Sequence, residues 1–317
     1  MVSEFRFIDH IKSKYSLKHV GDDCAVLPKD ADTDLLLTAD MLVEDVDFRL
    51  EWTTSQFLGH KSLAVSLSDV AAMLGEPKWA MLSIAVPDSL WNTDLVDGFY
   101  EGWFNLANEY GVELIGGDVS RSPDKLVIDS IVGGEAPRGK AVLRSGARPG
   151  DAIFVTGKLG SAAGGLKLLE QGIRFDRDVP DHTSGLLLKQ LKPQPQINAA
   201  KLLTTLDITS AMDISDGLSS DLAHICRGSG VGAFISALDL PVDPDLMHHF
   251  PEHECLTMAM HGGEDLALLF TAAPENILAM DLTDLTRIGE ITANIGIIEL
   301  IDEDGTTILE PRGYRHF

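Results

Sequence analysis

The stretch Leu35-Leu36-Leu37-Thr38-Ala39-Asp40 reads as a buried strand that ends on a carboxylate. Beyond it, from Ser55 to Leu74, the apolar residues Leu63, Leu67, Val70 and Leu74 recur at helical spacing, and Ala80 to Val86 reads as the next strand. The segment Asn92 to Tyr110 predicts a second helix, with Asn92 as its cap, a stripe of Leu95, Phe99, Trp103, Leu106 and Tyr110, and Gly111 as its stop. Val112 to Ile115 and Leu126 to Val132 add two strands. The turn-rich stretch Arg144 to Asp151 (RSGARPGD) then interrupts the pattern. Strand and helix resume after it: strand Ala152 to Thr156, helix Leu159 to Gln171, a strand ending on Met212-Asp213, helix Gly217 to Arg227, and strands at Leu266 to Phe270, Arg287 to Ile291 and Ile297 to Leu300. Each half is therefore mixed α/β (α+β), and 317 residues exceed one ordinary core. The expected organisation is two domains, residues 1–140 and 141–317.

Composition narrows the function. A hydrophobic content of 44% is that of a folded globular protein, and the formal charge of −24 offers no basic stripe to a nucleic acid or an anionic membrane surface. Cys24, Cys226 and Cys255 form no C-x-x-C pair and leave an odd count, which fits reduced thiols in a cytoplasm. No basic-then-apolar leader and no apolar run near about 18 residues occurs, so the expectation is a soluble cytoplasmic protein.

Six segments place carboxylates beside glycine or serine: Gly21-Asp22-Asp23, Thr38-Ala39-Asp40, Ser68-Asp69, Gly116-Gly117-Asp118, Asp213-Ile214-Ser215-Asp216-Gly217 and Gly262-Gly263-Glu264-Asp265. Taken singly, a Gly-Asp pair marks a turn and a Ser-Asp pair caps a helix. Recurring six times, they point to one site of hard oxygen ligands. Two unit charges 4 Å apart repel by about 4 kcal/mol at an effective dielectric near 20. A converging set therefore requires a cation within it, and Mg²⁺ carrying nucleotide phosphates meets that need. No G-x-x-x-x-G-K-[ST] loop and no G-x-G-x-x-G, H-R-D or D-F-G signature is present. Gly157-Lys158-Leu159-Gly160 is glycine-rich at a strand-to-helix turn, but its Lys falls too early for a phosphate loop, and a tight turn is the simpler reading. Asp302-Glu303-Asp304-Gly305 reads as a hairpin turn.

In their order and wording these segments resemble the thiamine-monophosphate kinase family. Its superfamily also holds aminoimidazole ribonucleotide synthetase, selenophosphate synthetase and a hydrogenase maturation factor. The matching stretches are Gly21 to Leu27, Asp40 to Phe48 (DMLVEDVDF), Lys61 to Met73 (KSLAVSLSDVAAM), Gly116 to Asp118 and Arg144 to Asp151. Further on they are Val155 to Gly165, Met212 to Leu222 (MDISDGLSSDL), Gly262 to Leu269 (GGEDLALL) and Gly313 to Phe317. The resemblance implies a homodimer whose amino-terminal domains pair their sheets into a barrel-like core, with an ATP site shared between protomers. It implies that Asp23, Thr38, Asp40, Asp69, Asp118, Asp213 and Asp216 hold several Mg²⁺ ions, that Gly117, Asp118, Arg144 and Ser215 meet ATP, and that Glu264 and Tyr314 meet thiamine monophosphate. Asp213, Asp216 and Arg144 would then carry the catalysis, in a site completed by the carboxy-terminal domain.

Four positions depart from the family pattern. Asp47 stands where the family commonly has histidine, in the substrate region, and Leu266-Ala267 replace Tyr-Glu after G-G-E-D. Ser66 replaces asparagine, and Ala39 replaces a threonine whose backbone carbonyl a metal could still use. The implied reaction is direct, in-line, Mg²⁺-assisted transfer of the ATP γ-phosphoryl group to thiamine monophosphate, without a phosphoenzyme. Two rivals stand beside it: another ATP-dependent member of the superfamily, such as an amidine-cyclising synthetase, and a non-catalytic Mg-nucleotide-binding protein. Cys24 directly follows Asp23, and no reactive Cys in a glycine-rich loop precedes the first acidic motif, which speaks against a selenophosphate synthetase.

Overall fold

A computed structural model describes residues 4–176, 178–277 and 284–316, so Phe317 of the tail motif lies outside the described residues. Helix α1 (Glu4–Tyr15) and the short strand β1 (Ala25–Pro28) lead into β2 (Thr33–Val43), which pairs antiparallel with β1. β2 contains the Leu35–Asp40 run. Leu36, Thr38 and Leu42 are buried at alternate positions, whereas Ala39 and Met41 are exposed. That two-residue alternation is what a strand with one covered face requires.

Helix α2 (Ser55–Ala72) follows, its start fixed by the Thr54 hydroxyl, which accepts the N–H of Phe57 at 3.1 Å. Strand β3 (Glu76–Pro87), the single turn α3 (Asp88–Trp91), helix α4 (Leu95–Tyr110), β4 (Glu113–Ser122) and β5 (Val127–Pro137) complete the first half. The sheet order is β1-β2-β5-β3-β4, with β3 and β4 as its parallel pair, joined through α4. Leu36, Leu63, Leu67, Phe99, Trp103 and Ile128 build the core between this sheet and the helices α2 and α4. The two helices touch through backbone at Gly102, where a Cβ would stand 1.8 Å from the Gln56 carbonyl oxygen. Gly111 ends α4 in the left-handed conformation, as expected. The expected Asn92 cap does not form: Asn92 closes α3, and α4 begins at Leu95, because the Thr93 hydroxyl takes the local bonds, donating to Leu90 O at 2.7 Å and accepting from Leu95 N–H at 3.3 Å.

The second half runs β6 (Ala152–Thr156), α5 (Ser161–Glu170), α6 (Asp181–Leu191), α7 (Ile197–Leu203), β7 (Ile208–Asp213), α8 (Leu218–Ser229), β8 (Gly232–Ser236) and α9 (Glu252–His261). After these come β9 (Leu268–Ala272), the turn α10 (Pro274–Ile277), β10 (Leu285–Thr292), β11 (Ile298–Asp302) and β12 (Gly305–Ile308). Seven strands form one sheet in the order β12-β11-β8-β10-β6-β9-β7, with β8 and β11 as its parallel pair. Asp302 to Gly305 is the hairpin turn between β11 and β12, held by Asp302 Oδ1, which accepts the N–H groups of Asp304 at 2.9 Å and Gly305 at 3.0 Å.

A third core joins the halves. Ala71, Ala72 and Leu74 at the end of α2 pack against Phe154, Ala211, Leu268 and Phe270 of the second sheet, and the rings of Phe154 and Phe270 stack at 5.4 Å. This apolar seam places the last turns of α2 beside the end of β7, where the carboxylates meet.

Candidate active site

Three acidic segments that are distant in sequence converge at that seam. Asp23 precedes β1, Asp69 lies in the last turns of α2, and Asp213 ends β7; one carboxylate oxygen from each lies within 4.8 Å of the others. Each acid is held by a named donor. Arg144 donates from Nε and a second guanidinium nitrogen to Asp23 Oδ1, at 3.2 Å for Nε. The Thr38 hydroxyl bonds to Asp69, and the Ser68 hydroxyl donates to Asp213 Oδ2 at 2.5 Å. Asp40 borders the group and accepts from the Ser66 hydroxyl at 2.7 Å, so the serine that replaces the family asparagine still supplies a donor.

Burial makes these acids hard to ionise. It raises the Asp213 carboxyl to about 7, reinforced by the charge of Asp23. Asp69 lies well above the usual carboxylate range, through burial and then the charges of Asp40, Asp213 and Asp23. Burial also raises Asp40 and Asp23, the latter despite its ion pair with Arg144. Burial opposes the charge on Arg144, but its acidic neighbours, Asp23 first, more than offset that and raise its pKa. Asp23 Oδ2 and Asp213 Oδ1 are buried without a hydrogen-bond partner among the described residues. Unpartnered anionic oxygens in a dry site are costly unless a cation takes them. Hard carboxylate oxygens at this spacing fit Mg²⁺.

The acids open onto a cavity of about 760 Å³. Asp40, Asp69, Asp213, Ser215 and Asp216 line it, together with Asp47, Lys61, Gln190, Glu264, Tyr314 and His316. Gly217 makes the turn after Asp216 possible: its φ is +127°, and a Cβ there would stand 2.7 Å from the His261 carbonyl oxygen. The tail folds back over this turn, with Tyr314 N–H donating to the Asp216 carbonyl oxygen at 3.1 Å. Tyr314 is half exposed and meets His316 edge-on at 4.9 Å. Asp47 has a local task as well, since its Oδ2 accepts Val43 N–H at 2.8 Å and closes the turn after β2. Leu266 is buried against the first core and also lines the cavity, whereas Ala267 packs in the second core.

Some expected residues are not brought to the cluster within this chain. Gly117 and Asp118 are exposed on the edge strand β4 and line a separate depression with Leu82, Tyr100, Leu114, Ile115 and Val119. Ala39 is exposed at a β2 position opposite in register to Thr38 and Asp40, so its side chain adds nothing to the cluster and only the backbone carbonyl expected of it could serve a metal. The Gly157–Gly160 turn is no open phosphate cradle. Asp265 fills it, accepting Gly160 N–H at 2.6 Å and Ala162 N–H at 2.9 Å, and burial lifts this carboxyl to about 6. Asp265, the last residue of the Gly-Gly-Glu-Asp segment, is thus a cap for α5.

The structure adds residues that the sequence reading does not single out. Lys61 is a buried lysine whose Nζ stands 2.8 Å from Glu264 Oε1, and Gln190 donates to the other oxygen of Glu264. Asp221 is buried beside Asp216 and Asp213, lies well above the usual carboxylate range, first through burial, and accepts Gly217 N–H at 3.0 Å. Only the second aspartate of D-G-L-S-S-D hinted at it.

The AIR synthase related protein models match the chain over residues 21–136 for the N-terminal domain and 148–299 for the C-terminal domain. Thiamine-monophosphate kinase of Bacillus subtilis (strain 168) is 36% identical over 305 residues, covering 94% of this chain and 93% of that protein. The Escherichia coli (strain K12) thiamine-monophosphate kinase is 37% identical over 306 residues, covering 94% of this chain and 91% of that protein. Among solved structures, AaThiL complexed with AMPPCP and TMP matches with a TM-score of 0.89 at 34% identity, over 100% of this chain and 97% of that one. Hydrogenase maturation protein HypE in complex with ATP, at 19% identity and a TM-score of 0.70, shares the fold. No helix among the described residues is long and apolar enough to cross a membrane. Likeness sustained along both halves, with the acids assembled at their seam, settles the relationship: the chain belongs to the thiamine-monophosphate kinase family of the AIR synthase related proteins.

Proposed function

We propose that this cavity transfers the γ-phosphoryl group of ATP to the phosphate of thiamine monophosphate, giving ADP and thiamine diphosphate. The observation that carries this reading is the trio Asp23, Asp69 and Asp213, with two buried oxygens lacking partners, of which Asp69 and Asp213 line a cavity of about 760 Å³. A relative solved as AaThiL complexed with AMPPCP and TMP supports the substrate pair. Asp23, Asp69 and Asp213 would hold Mg²⁺, with Thr38, Asp40 and Asp216 around them. Bound there, the ion supplies neutralisation of the phosphate charge and a template for in-line transfer.

The remaining work belongs to the chain's own side chains. Arg144 is fixed by Asp23 and by Asp22, whose Oδ1 accepts its backbone N–H at 2.9 Å, and its guanidinium keeps further N–H donors for nucleotide phosphates. Ser215, exposed at the cavity, adds a hydroxyl for ATP. Glu264 and Tyr314 receive the acceptor, the carboxylate and the aromatic face both suiting a cationic heterocycle, with Asp47 also lining the cavity. The acceptor oxygen is already anionic, so the reaction needs alignment and charge neutralisation rather than a strong general base. No phosphoenzyme forms.

We read residues 1–140 as the nucleotide-binding and dimerisation domain and 141–317 as the domain that completes the site. The exposed Ile115 and Val119 on edge strand β4, with the exposed Met81 of its neighbour β3, support pairing of two such sheets in a cytoplasmic homodimer. That pairing would deliver Gly117 and Asp118 to the partner's nucleotide. Purified protein with Mg²⁺, ATP and thiamine monophosphate should yield ADP and thiamine diphosphate in equal amounts, and EDTA should stop it. ADP and free phosphate with thiamine monophosphate untouched would refute the reading and favour a synthetase.

A further inference from the structure

We infer that Lys61 and Gln190 are positioning residues that hold Glu264 at the far end of the acceptor site and thereby set which acceptor is accepted. The inference rests on the kinase reading above. Glu264 stands at φ +65° and Leu266, two residues on, at φ +49°, a left-handed pair that side-chain-bearing residues seldom adopt. Backbone bonds from Glu264 N–H to Ser215 O at 2.9 Å and from Leu266 N–H to Ile214 O at 3.1 Å fix this kinked segment to the strand end bearing the acids. The Glu264 carboxylate is then gripped from two other elements. Lys61 of α2 pairs with Oε1 at 2.8 Å, and Gln190 of α6 donates to Oε2. Lys61 is itself anchored, donating to the Gln190 carbonyl oxygen at 3.2 Å, with only 5% of its side chain exposed against 34% for Glu264. A buried cation with a fixed partner presents the carboxylate in one orientation instead of letting it sample several.

Helix α2 converts that anchor into a distance. Leu58, Lys61, Val65 and Asp69 all line the cavity, at spacings of three, four and four residues, which is one face of a helix. Eight residues from Lys61 to Asp69 at 1.5 Å each span about 12 Å. That length is comparable with thiamine monophosphate extended from its phosphate to its aminopyrimidine. One rigid element thus ties the phosphate-handling acids to the group that meets the far ring, where a carboxylate can pair with an amino-bearing heterocycle. An acceptor of different length would place either its phosphate or its ring out of register.

Lys61→Met should raise the KM for thiamine monophosphate at least tenfold while leaving the KM for ATP and the affinity for a non-hydrolysable ATP analogue within about twofold. Lys61→Arg should recover most of the loss, because a guanidinium also pairs with the carboxylate. Gln190→Leu removes a neutral donor and should shift the acceptor KM in the same direction by a smaller factor, which keeps the test open if Lys61→Met folds poorly. A fall in thermal stability with both KM values unchanged would make the trio a structural tie and overturn the inference, as would parallel rises in both KM values. Failure of the unaltered protein to phosphorylate thiamine monophosphate would instead overturn the kinase reading on which the inference stands.

Discussion

Asp69→Asn removes one charge from a cluster that the metal-free protein tolerates at a cost. The ligand oxygens of Asp23, Asp69 and Asp213 lie within 4.8 Å of one another, and Arg144 already compensates Asp23. The exposed part of the cost is the Asp69–Asp213 repulsion, about 3.5 kcal/mol for two full charges at that separation and an effective dielectric near 20. Proton uptake limits it. Asp213 titrates at about 7 in the fold, so at pH 8 a proton relieves the repulsion for about 1.4 kcal/mol. Metal-free Asp69→Asn should therefore be more stable than the parent at pH 8 by about 1–2 kcal/mol, or about 1.5–3 °C in Tm. Asparagine can still accept the Thr38 hydroxyl. The pH dependence fixes the sign. Folded carboxyls raised above their unfolded value near 3.9 bind more protons than the unfolded chain in between, so stability is full below about 4 and is lost as pH rises through about 7. The variant's advantage should shrink towards pH 5. Mg²⁺ should raise the parent's Tm and hardly move the variant's, and turnover should fall at least about 100-fold. Thermal melts with and without EDTA across pH 5 to 8 measure all of this. A metal-free variant that melts several degrees lower at pH 8 would refute the reasoning and make the Asp69 carboxylate a structural group of the fold.

Arg144→Met leaves Asp23 buried beside other acids without its cation, so the metal-free protein should lose about 3 kcal/mol, with Mg²⁺ restoring much of it. Equal losses with and without Mg²⁺ in denaturant titrations would show that Asp23 is no metal ligand. Asp47→His should lower the KM for thiamine monophosphate and leave that for ATP nearly unchanged, with a stability loss of about 1 kcal/mol from the Val43 bond. Steady-state kinetics showing equal effects on both substrates would instead attach Asp47 to the metal cluster.

The elements were legible where one period dominates. β2 announces itself by an apolar run and α4 by its stripe, because burial on one face leaves a regular trace in sequence; α2 shows a stripe too, although the fold buries it on nearly every side. The acids were legible through repetition, since no local turn chemistry explains Asp23, Asp69 and Asp213 together. Partners that meet only through the fold were hidden: Ser68 reaches Asp213 across 145 positions, and Lys61 reaches Gln190 across 129. Asp265 shows the opposite failure, an acid whose motif suggests a ligand but whose two short N–H bonds make it a helix cap.

The location of the acids follows from the seam itself. A cluster of buried carboxylates destabilises whatever surrounds it, so it needs rigid walls that do not relax to let water in. The apolar joint of Ala71, Ala72 and Leu74 against Phe154 and Phe270 supplies such walls beside Ser68 and Asp69, using aliphatic and aromatic packing that no charge can loosen. The same joint fixes α2, and with it the line from Lys61 to Asp69. A substitution that opens the joint, far from any ligand, should therefore damage metal affinity and acceptor fit together, because both are read off one helix.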